Sequence, residues 1–356
     1  MRPLPLGATI GILGDGQLGR MLSQAASRLG FRVAIFGPEA DSPAASVSAV
    51  SVVGDYRDEA ALKRFAGLCD VITLEFENIP VETVHFLTGL GKVVAPSARA
   101  LAITQDRVHE KEFARAHGVA TVDFARIDAE ADIAPALAQL GAPALLKTRR
   151  EGYDGKGQVW VRSAAEAASA WDAIGGKPAI LEARADFARE ISVVAARGHD
   201  GAVKAFPIGE NHHVGGILAT TTAPADVRDD VHAHAHDIAR KVLNGLDYVG
   251  VLAVELFVLR AGGLLLNEIA PRVHNSGHWT QEGCVCDQFE QHVRAVAGWP
   301  LGDVTARCRV EMTNLLGDDI LRWPELSAEP RARLHVYGKA EPRPGRKMGH
   351  INRILS

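Results

Sequence analysis

Residues 8–21, ATIGILGDGQLGRM, constrain this chain more than any other stretch. An apolar run is broken by Gly14, Gly16 and Gly19, and the residues that follow, QLGRMLSQAASRLG, place their apolar side chains at helical spacing. The segment reads as a strand, a tight turn and a helix. FRVAIFG is the next strand, and VSVVG, DVITLEF and KVVAP continue the series, with helical stretches such as RDEAALKRFAGL between them. Strands alternating with helices predict an α/β domain built on a doubly wound parallel sheet.

A second region begins near Thr104. TQDRVHEKEFARAHG reads as one helix stopped by Gly118. Short strands and a helix precede ALLKTRREGYDGKGQVWV, which is strand, glycine-rich loop, strand, and not the strand–loop–helix order of a P-loop. A strand-rich stretch (179–222), a helix near 225–244 and two strands joined at Gly262-Gly263 come next. After a helix ending near Trp299, the last fifty residues are short strands and turns.

At 356 residues and 47% hydrophobic, the chain has room for two or three domains. A net charge of −4 gives no electrostatic footprint for nucleic acid or an anionic membrane. No apolar run approaches the roughly 20 residues that span a bilayer, and the N-terminal MRPLPLGATIGILG lacks the layout of a signal peptide. Cys69, Cys284, Cys286 and Cys308 match neither a zinc pattern nor a disulfide framework. They read as reduced thiols of a cytoplasmic protein.

The first glycine turn matches G-x-G-x-x-G. A dinucleotide site also wants an acidic residue at the end of the second strand, but that strand runs into Gly37-Pro38, with Glu39 beyond the proline. The same glycines equally serve a tight turn whose helix N-terminus holds some other ligand. In the second loop, Gly152, Gly155 and Gly157 let backbone N–H groups turn toward a polyphosphate, and Lys147 precedes them. A hairpin with solubilising basic residues has the same sequence pattern. Glu255, in VLAVELFV, and Glu268, after Asn267 in LLLNE, are carboxylates in apolar strands. They suit either Mg²⁺ bridging phosphates or a salt bridge. Arg272, His274, Asn275 and Ser276 crowd the loop that follows, a density of polar groups rare in purely structural loops. His232, His234 and His236 read as a solvated helix face, and Cys284 and Cys286 as packing residues.

With GDGQLGRM, TLEFENIP, QDR, GYDGKGQ, NHHVGGIL, AVELF, NEIAPRVHNSGHWT and GRKMGHIN in view, the chain resembles, nearly end to end, the ATP-grasp superfamily. Within it the match is to the N5-carboxyaminoimidazole ribonucleotide synthetases of bacterial and fungal purine synthesis. The resemblance implies an ATP-grasp ligase using ATP, Mg²⁺ and bicarbonate to carboxylate 5-aminoimidazole ribonucleotide through carboxyphosphate. It implies phosphate contacts from Arg107, Lys147, Gly152, Tyr153, Asp154, Gly155, Lys156, Gly157 and Gln158. The adenine edge would meet Glu182 and Ala185, the nucleotide would also meet Glu190, His213 and Asn267, and the metal would sit on Glu255 and Glu268. Arg272, His274 and Asn275 would surround bicarbonate and the reacting amine. Gln17, Leu18, Glu77, Asn78, Tyr153, Asp154, Ser276, Arg346 and Lys347 would meet the ribonucleotide. The family's loop has a further glycine where this chain has Glu151, whose carboxylate should point to solvent or pair with Arg149 or Arg150. The expected parts are a substrate-facing domain (1–103), an ATP-grasp unit (104–300) with a lid near 120–185, and a β-rich C-terminal domain (301–356), assembled as a cytoplasmic homodimer. The rivals are a formate- or amino-acid-using ligase on the same scaffold, an NAD-dependent oxidoreductase and a non-catalytic nucleotide sensor. The metal carboxylates and lid loop argue against the oxidoreductase. NEIAPRVHNSGHWT argues against a generic amino-acid ligase, and the full set of catalytic positions argues against the sensor.

Overall fold

The computed structural model describes residues 1–152 and 155–355. Four parallel strands open the chain: β1 (Thr9–Leu13), β2 (Arg32–Gly37), β3 (Val50–Val53) and β4 (Val71–Leu74), side by side as β3-β2-β1-β4. α1 (Gln17–Arg28), α2 (Glu59–Leu68) and α3 (Val81–Gly89) connect them, and β4 is buried along its whole length, as strands covered on both faces are. KVVAP does not become a strand. A single bridge, Ile72–Val94, forms between Gly91, at φ +81°, and Pro96, which has no N–H for a ladder. The strand order reverses at β1, and the crevice at such a reversal is where doubly wound sheets take ligands. The first glycine turn follows β1 into that crevice, and residues 75–78 follow β4 into it.

The helix expected over 104–118 is two, α4 (Ala98–Thr104) and α5 (Arg107–Ala116). Asp106 ends one and starts the other: its carboxylate accepts the N–H groups of Val108 (3.0 Å) and His109 (3.4 Å) and pairs with Arg149 at 2.7 Å. A four-stranded antiparallel sheet follows. It comprises β5 (Phe124–Ile127), β6 (Ala144–Thr148), β7 (Gln158–Val161) and β8 (Ala179–Ala183), ordered β5-β8-β6-β7. With α6 (Ile133–Leu140) and α7 (Ala167–Ala173) it closes a small core of its own around Ile127, Leu137, Leu146 and Leu181. The second glycine loop is the β6–β7 connection, with Lys147 opposite Gln158.

The largest sheet has nine strands. β9 (Phe187–Arg197), β10 (Val203–Ala205), β11 (Gly209–Val214), β12 (Ile217–Ala223), β13 (Gly250–Leu259) and β14 (Leu264–Ala270) are joined by β15 (Val310–Leu316), β16 (Ala332–Val336) and β17 (Lys347–Ile354). The order is β14-β13-β9-β11-β12-β15-β17-β16, with β10 on β9, so the C-terminal strands continue one antiparallel ladder from β12. One face, with Ile191, Val193, Leu252 and Val254, packs on α8 (Asp229–Gly245). The other carries Val194, Ala196, Val251 and Ala253. After the short α9 (Thr280–Gly283) comes α10 (Gln288–Val296), which joins that face to Ile10, Ile12 and Leu22 of the first domain in one core. His292 of α10 bonds both Thr73 (2.8 Å) and the Val251 N–H (3.0 Å). By the two-residue period of strands, Glu255, Ser192, Glu190 and Asn211 extend this same face where its apolar residues stop.

Candidate active site

Glu255 on β13 and Glu268 on β14 stand opposite each other in register. Burial raises the Glu255 carboxyl above its usual range, and the neighbouring Glu268 raises it further. The two carboxylates face each other at the edge of an apolar face and make a hard oxygen pair that fits Mg²⁺, although no group of three or more metal-ligating side chains is assembled among the described residues. Asn267 is the extra residue of the irregularity just past this pair, and its carbonyl accepts from Lys111 at 3.0 Å.

A wall of cations comes from α5 and β6. Arg107 reaches Glu268 (3.2 Å) and the Gly152 carbonyl (3.1 Å), tying the second glycine loop to the acidic pair. Lys111 and Lys147 share Glu182 at 3.0 and 2.6 Å. Burial alone would raise the Glu182 carboxyl, but the two lysines hold it at about 2. Glu182 therefore stands as half of an ion pair rather than as a free acceptor. Glu110, one turn on from Arg107, accepts the Ile269 N–H at 2.8 Å; burial pushes its carboxyl up to about 8 despite Lys111. Sequence reasoning missed Glu110 and Lys111. Their signal was the spacing: 107, 110 and 111 share one face of a helix. Next to Lys147 and Glu182 opens a cleft of about 320 Å³ lined also by Trp160, Ala185, Phe187 and Phe257. Phe187 and Phe257 stack at 4.5 Å, giving a flat apolar wall that no motif had announced.

Beyond Glu268, Arg272 spends its fork on Glu77, with Nη2 to Oε1 at 2.7 Å and Nε to Oε2. The guanidinium overrides burial and holds the Glu77 carboxyl at about 2. The fork expected to receive a small anion is thus closed by a carboxylate, and the pair lines a small cavity with Asn78, Arg107, Gly152 and Glu268. His274 Nε2 lies 3.7 Å from Glu255 Oε1. Its Nδ1 accepts the Ser276 N–H at 3.3 Å and contacts Ser276 Oγ at 2.9 Å, so the neutral ring carries its hydrogen on Nε2. Burial, with Arg272 and Lys347, keeps that ring neutral. Ser276 is fully buried and its hydroxyl is taken by His274. Both polar atoms of the Asn275 amide are buried and without a hydrogen-bond partner among the described residues.

The remaining expected residues fall around this centre. Glu190 and His213 pair at 3.0 Å across β9 and β11. Burial lowers the His213 imidazole, but Glu190 and Glu255 raise it more. Lys347 makes itself felt electrostatically at Glu255 and His274, while Arg346 donates to the Glu341 carbonyl at 3.0 Å. Gly155 comes close to the β11–β12 turn, where an added Cβ would stand 3.0 Å from the Gly215 carbonyl. Lys156, Gly157 and Gln158 complete that loop into β7, and Tyr153 and Asp154 lie outside the described residues. Glu151 sits at φ +64°, and its carboxylate pairs with Lys177 at 3.5 Å. Arg149 and Arg150, the partners expected for it, go to Asp106 instead. At the first glycine turn, Gln17 begins α1, whereas the Leu18 side chain is in the core, so Leu18 offers a substrate no side-chain contact.

The N–H groups of Gly16 and Gly19 donate to the two oxygens of Glu75, at 2.9 and 3.0 Å. A buried carboxylate thus occupies the place where a dinucleotide's pyrophosphate would bind, which excludes the oxidoreductase reading.

The ATP-grasp domain family matches residues 112–289, the ribonucleotide synthetase preATP-grasp domain 7–105, and the phosphoribosylaminoimidazole carboxylase C-terminal domain 311–356. An N5-carboxyaminoimidazole ribonucleotide synthase of Brucella melitensis is 50% identical over 98% of this chain and 96% of its own length. The chain belongs to the N5-carboxyaminoimidazole ribonucleotide synthase family. It is an ATP-grasp ligase that makes N5-carboxyaminoimidazole ribonucleotide in purine biosynthesis. Among solved structures, an ADP complex of an N5-carboxyaminoimidazole ribonucleotide synthetase superposes with a TM-score of 0.96 at 38% identity, covering 100% of this chain and 94% of the other. The synthase of Aspergillus clavatus, solved with ADP and 5-aminoimidazole ribonucleotide, gives 0.92 at 32% identity, covering 98% and 94%.

Proposed function

We propose that this chain binds ATP in the cleft between its two antiparallel sheets and carboxylates 5-aminoimidazole ribonucleotide with bicarbonate. The observation that carries this reading is the opposed pair Glu255–Glu268, with Arg107 and the glycine loop on one side and the unpaired Asn275 amide on the other. Adenine fits the apolar cleft at Ala185, Phe187 and Phe257, with the phosphates directed past Lys147 and Arg107 toward Gly152, Gly155, Lys156, Gly157 and Gln158. Glu190 and His213 border the nucleotide. Glu255 and Glu268, with Asn267 beside them, would hold Mg²⁺, which when bound offsets the charge of the phosphate oxygens.

Bicarbonate lies by His274, Asn275 and Arg272. One of its oxygens attacks the γ-phosphorus, ADP leaves, and carboxyphosphate forms. Neutral His274 donates from Nε2 and Asn275 donates from its amide to the oxygens of this anion, steadying charge without adding a proton. The substrate amine then attacks the carboxyl carbon. The bond to the bridging oxygen breaks, and the departing phosphate takes the amine's proton. Arg272, locked to Glu77, borders the reacting groups as half of a fixed, charge-balanced ion pair rather than as an open clamp. The ribonucleotide lies along the crevice at Gln17, the Leu18 N–H, Glu77 and Asn78, near Ser276, with its 5′-phosphate at Lys347 and Arg346. Tyr153 and Asp154 retain their proposed place by motif alone.

Bicarbonate labelled with ¹⁸O tests the chemistry. A single turnover faster than oxygen exchange with water should deliver one labelled oxygen to the released phosphate. Unlabelled phosphate refutes the carboxyphosphate route, and ADP release that depends on formate points to the rival ligase. Among the described residues no helix is long and apolar enough to cross a membrane. The cytoplasmic homodimer rests on the family resemblance, and sedimentation equilibrium measures the dimer directly.

A further inference from the structure

Gln288, the first residue of α10, is fully buried. Capping is not its task, because Asp287 already accepts the N–H groups of Phe289 (2.8 Å) and Glu290 (2.9 Å). The Gln288 amide turns instead onto the loop after Arg272. Its Oε1 accepts the His274 N–H at 2.9 Å, and its Nε2 donates to the His274 carbonyl at 2.7 Å and to His278 Nδ1 at 2.9 Å. Oxygen and nitrogen cannot be exchanged here, since a backbone N–H needs an acceptor and a carbonyl needs a donor. The Gln288 N–H bonds Thr280 Oγ1 (3.0 Å), which itself donates to the Gly277 carbonyl (2.6 Å). At Gly277 an added Cβ would stand 2.5 Å from Gln288 Oε1. The whole turn is wrapped around one amide.

His278 leads onward to the strand proposed to meet the substrate phosphate. Its ring lies 4.6 Å from that of His350, and His350 stacks at 4.4 Å on His335. His350 is on β17, three residues past Lys347, and bonds Tyr337 (2.8 Å) and Gln281 (3.0 Å). Asn352, on the same strand, donates to the His278 carbonyl at 3.0 Å. His278, His350, Tyr337 and Asn352 are all buried, so these bonds form without competition from water.

We infer that Gln288 is a positioning residue for the carboxylation: it clamps both polar groups of the His274 peptide and, through His278, ties that turn to the strand carrying Lys347. The inference rests on the role proposed above for His274. Gln288 touches no substrate. What it fixes is where the imidazole stands relative to Glu255 and the reacting anion.

Gln288→Glu keeps the size and the acceptor but loses both donated bonds. Turnover should fall about 10- to 100-fold while KM for ATP is unchanged. In a His274→Ala background the same substitution should cost less than about twofold more, because the group it positions is gone. Multiplying losses in the double variant, or normal turnover in Gln288→Glu, overturn the inference. Normal turnover in His274→Ala alone overturns the role of His274, a failure visible without touching Gln288. If Gln288→Glu fails to fold, as judged by near-ultraviolet circular dichroism, Gln288→Met goes through the same cycle and is read by the same two outcomes.

Discussion

After β1, the N–H groups of Gly16 and Gly19 meet the two oxygens of Glu75, and a Cβ at Gly14 would stand 2.5 Å from that side chain. After β6, the turn through Gly152, Gly155 and Gly157 is flanked by cations: Arg107 bonds the Gly152 carbonyl, and Arg149 and Arg150 stand on Asp106. Both are glycine turns at the end of a strand. The first is supplied with an anion by the protein itself. The second is surrounded by positive charge and suited to an anion from outside. Glycine spacing describes the backbone; the charge already in place decides what binds there.

The largest expected effect lies at the second loop. Arg107 bridges Gly152 to Glu268, so Glu268→Gln removes a charge felt by the loop, the arginine and any metal together. Turnover at saturating ATP should fall at least about 100-fold. The fold should persist, since the Glu268 side chain is 37% exposed and supports no buried core. Steady-state rates across a Mg²⁺ titration measure this, with the melting temperature as control. Near-normal turnover at limiting Mg²⁺ would make Glu268 a spectator and remove the second loop's claim to an external polyphosphate.

The next effect is on stability and belongs to the first loop. Burial raises the Glu75 carboxyl, and the N–H groups of Gly16 and Gly19 draw it back only in part. Glu75→Ala leaves those two donors without their acceptor, at a cost of about 2 kcal/mol. Denaturant unfolding should show that loss while KM for ATP stays at its normal value. A rise in KM for ATP with unchanged stability would reverse the two loops' assignments.

The α/β order of the first domain was legible because strands and helices alternate at short, regular intervals from Thr9 to Leu74. Glu255, Glu268, Arg272 and His274 were legible because charge and imidazole in or beside apolar strands need a reason. Glu75 stands in the TLEFENIP motif, but its role was not legible because its partner Gly16 lies 59 residues away. Gln288 looks like an ordinary helix start, and only the packing of α10 shows its amide turned onto His274. The Glu77–Arg272 pair joins residues 195 positions apart, so the closed fork could not be read from the motif that contains Arg272. Long-range pairing of charges is what the linear spacing omits.

The smallest effect concerns Glu151, the carboxylate that enters the second loop just ahead of Gly152. Its φ of +64° belongs to the left-handed region, which costs a non-glycine residue about 1–2 kcal/mol. Its side chain is 72% exposed, and a pair with Lys177 at that exposure contributes little. Glu151→Gly relieves the strain in the folded chain but also loosens the unfolded one, which takes back about 0.4–1 kcal/mol. The net change should be a gain of no more than about 1 kcal/mol. A carboxylate turned to solvent is screened from the phosphates by salt, so KM for ATP should shift less than about threefold at physiological ionic strength. Thermal unfolding and ATP kinetics on the same preparation read both quantities. A tenfold fall in KM would show that Glu151 competes with the nucleotide phosphates. The second loop would then hold an anion of its own, as the first does, and the contrast between them would reduce to how firmly each anion is held.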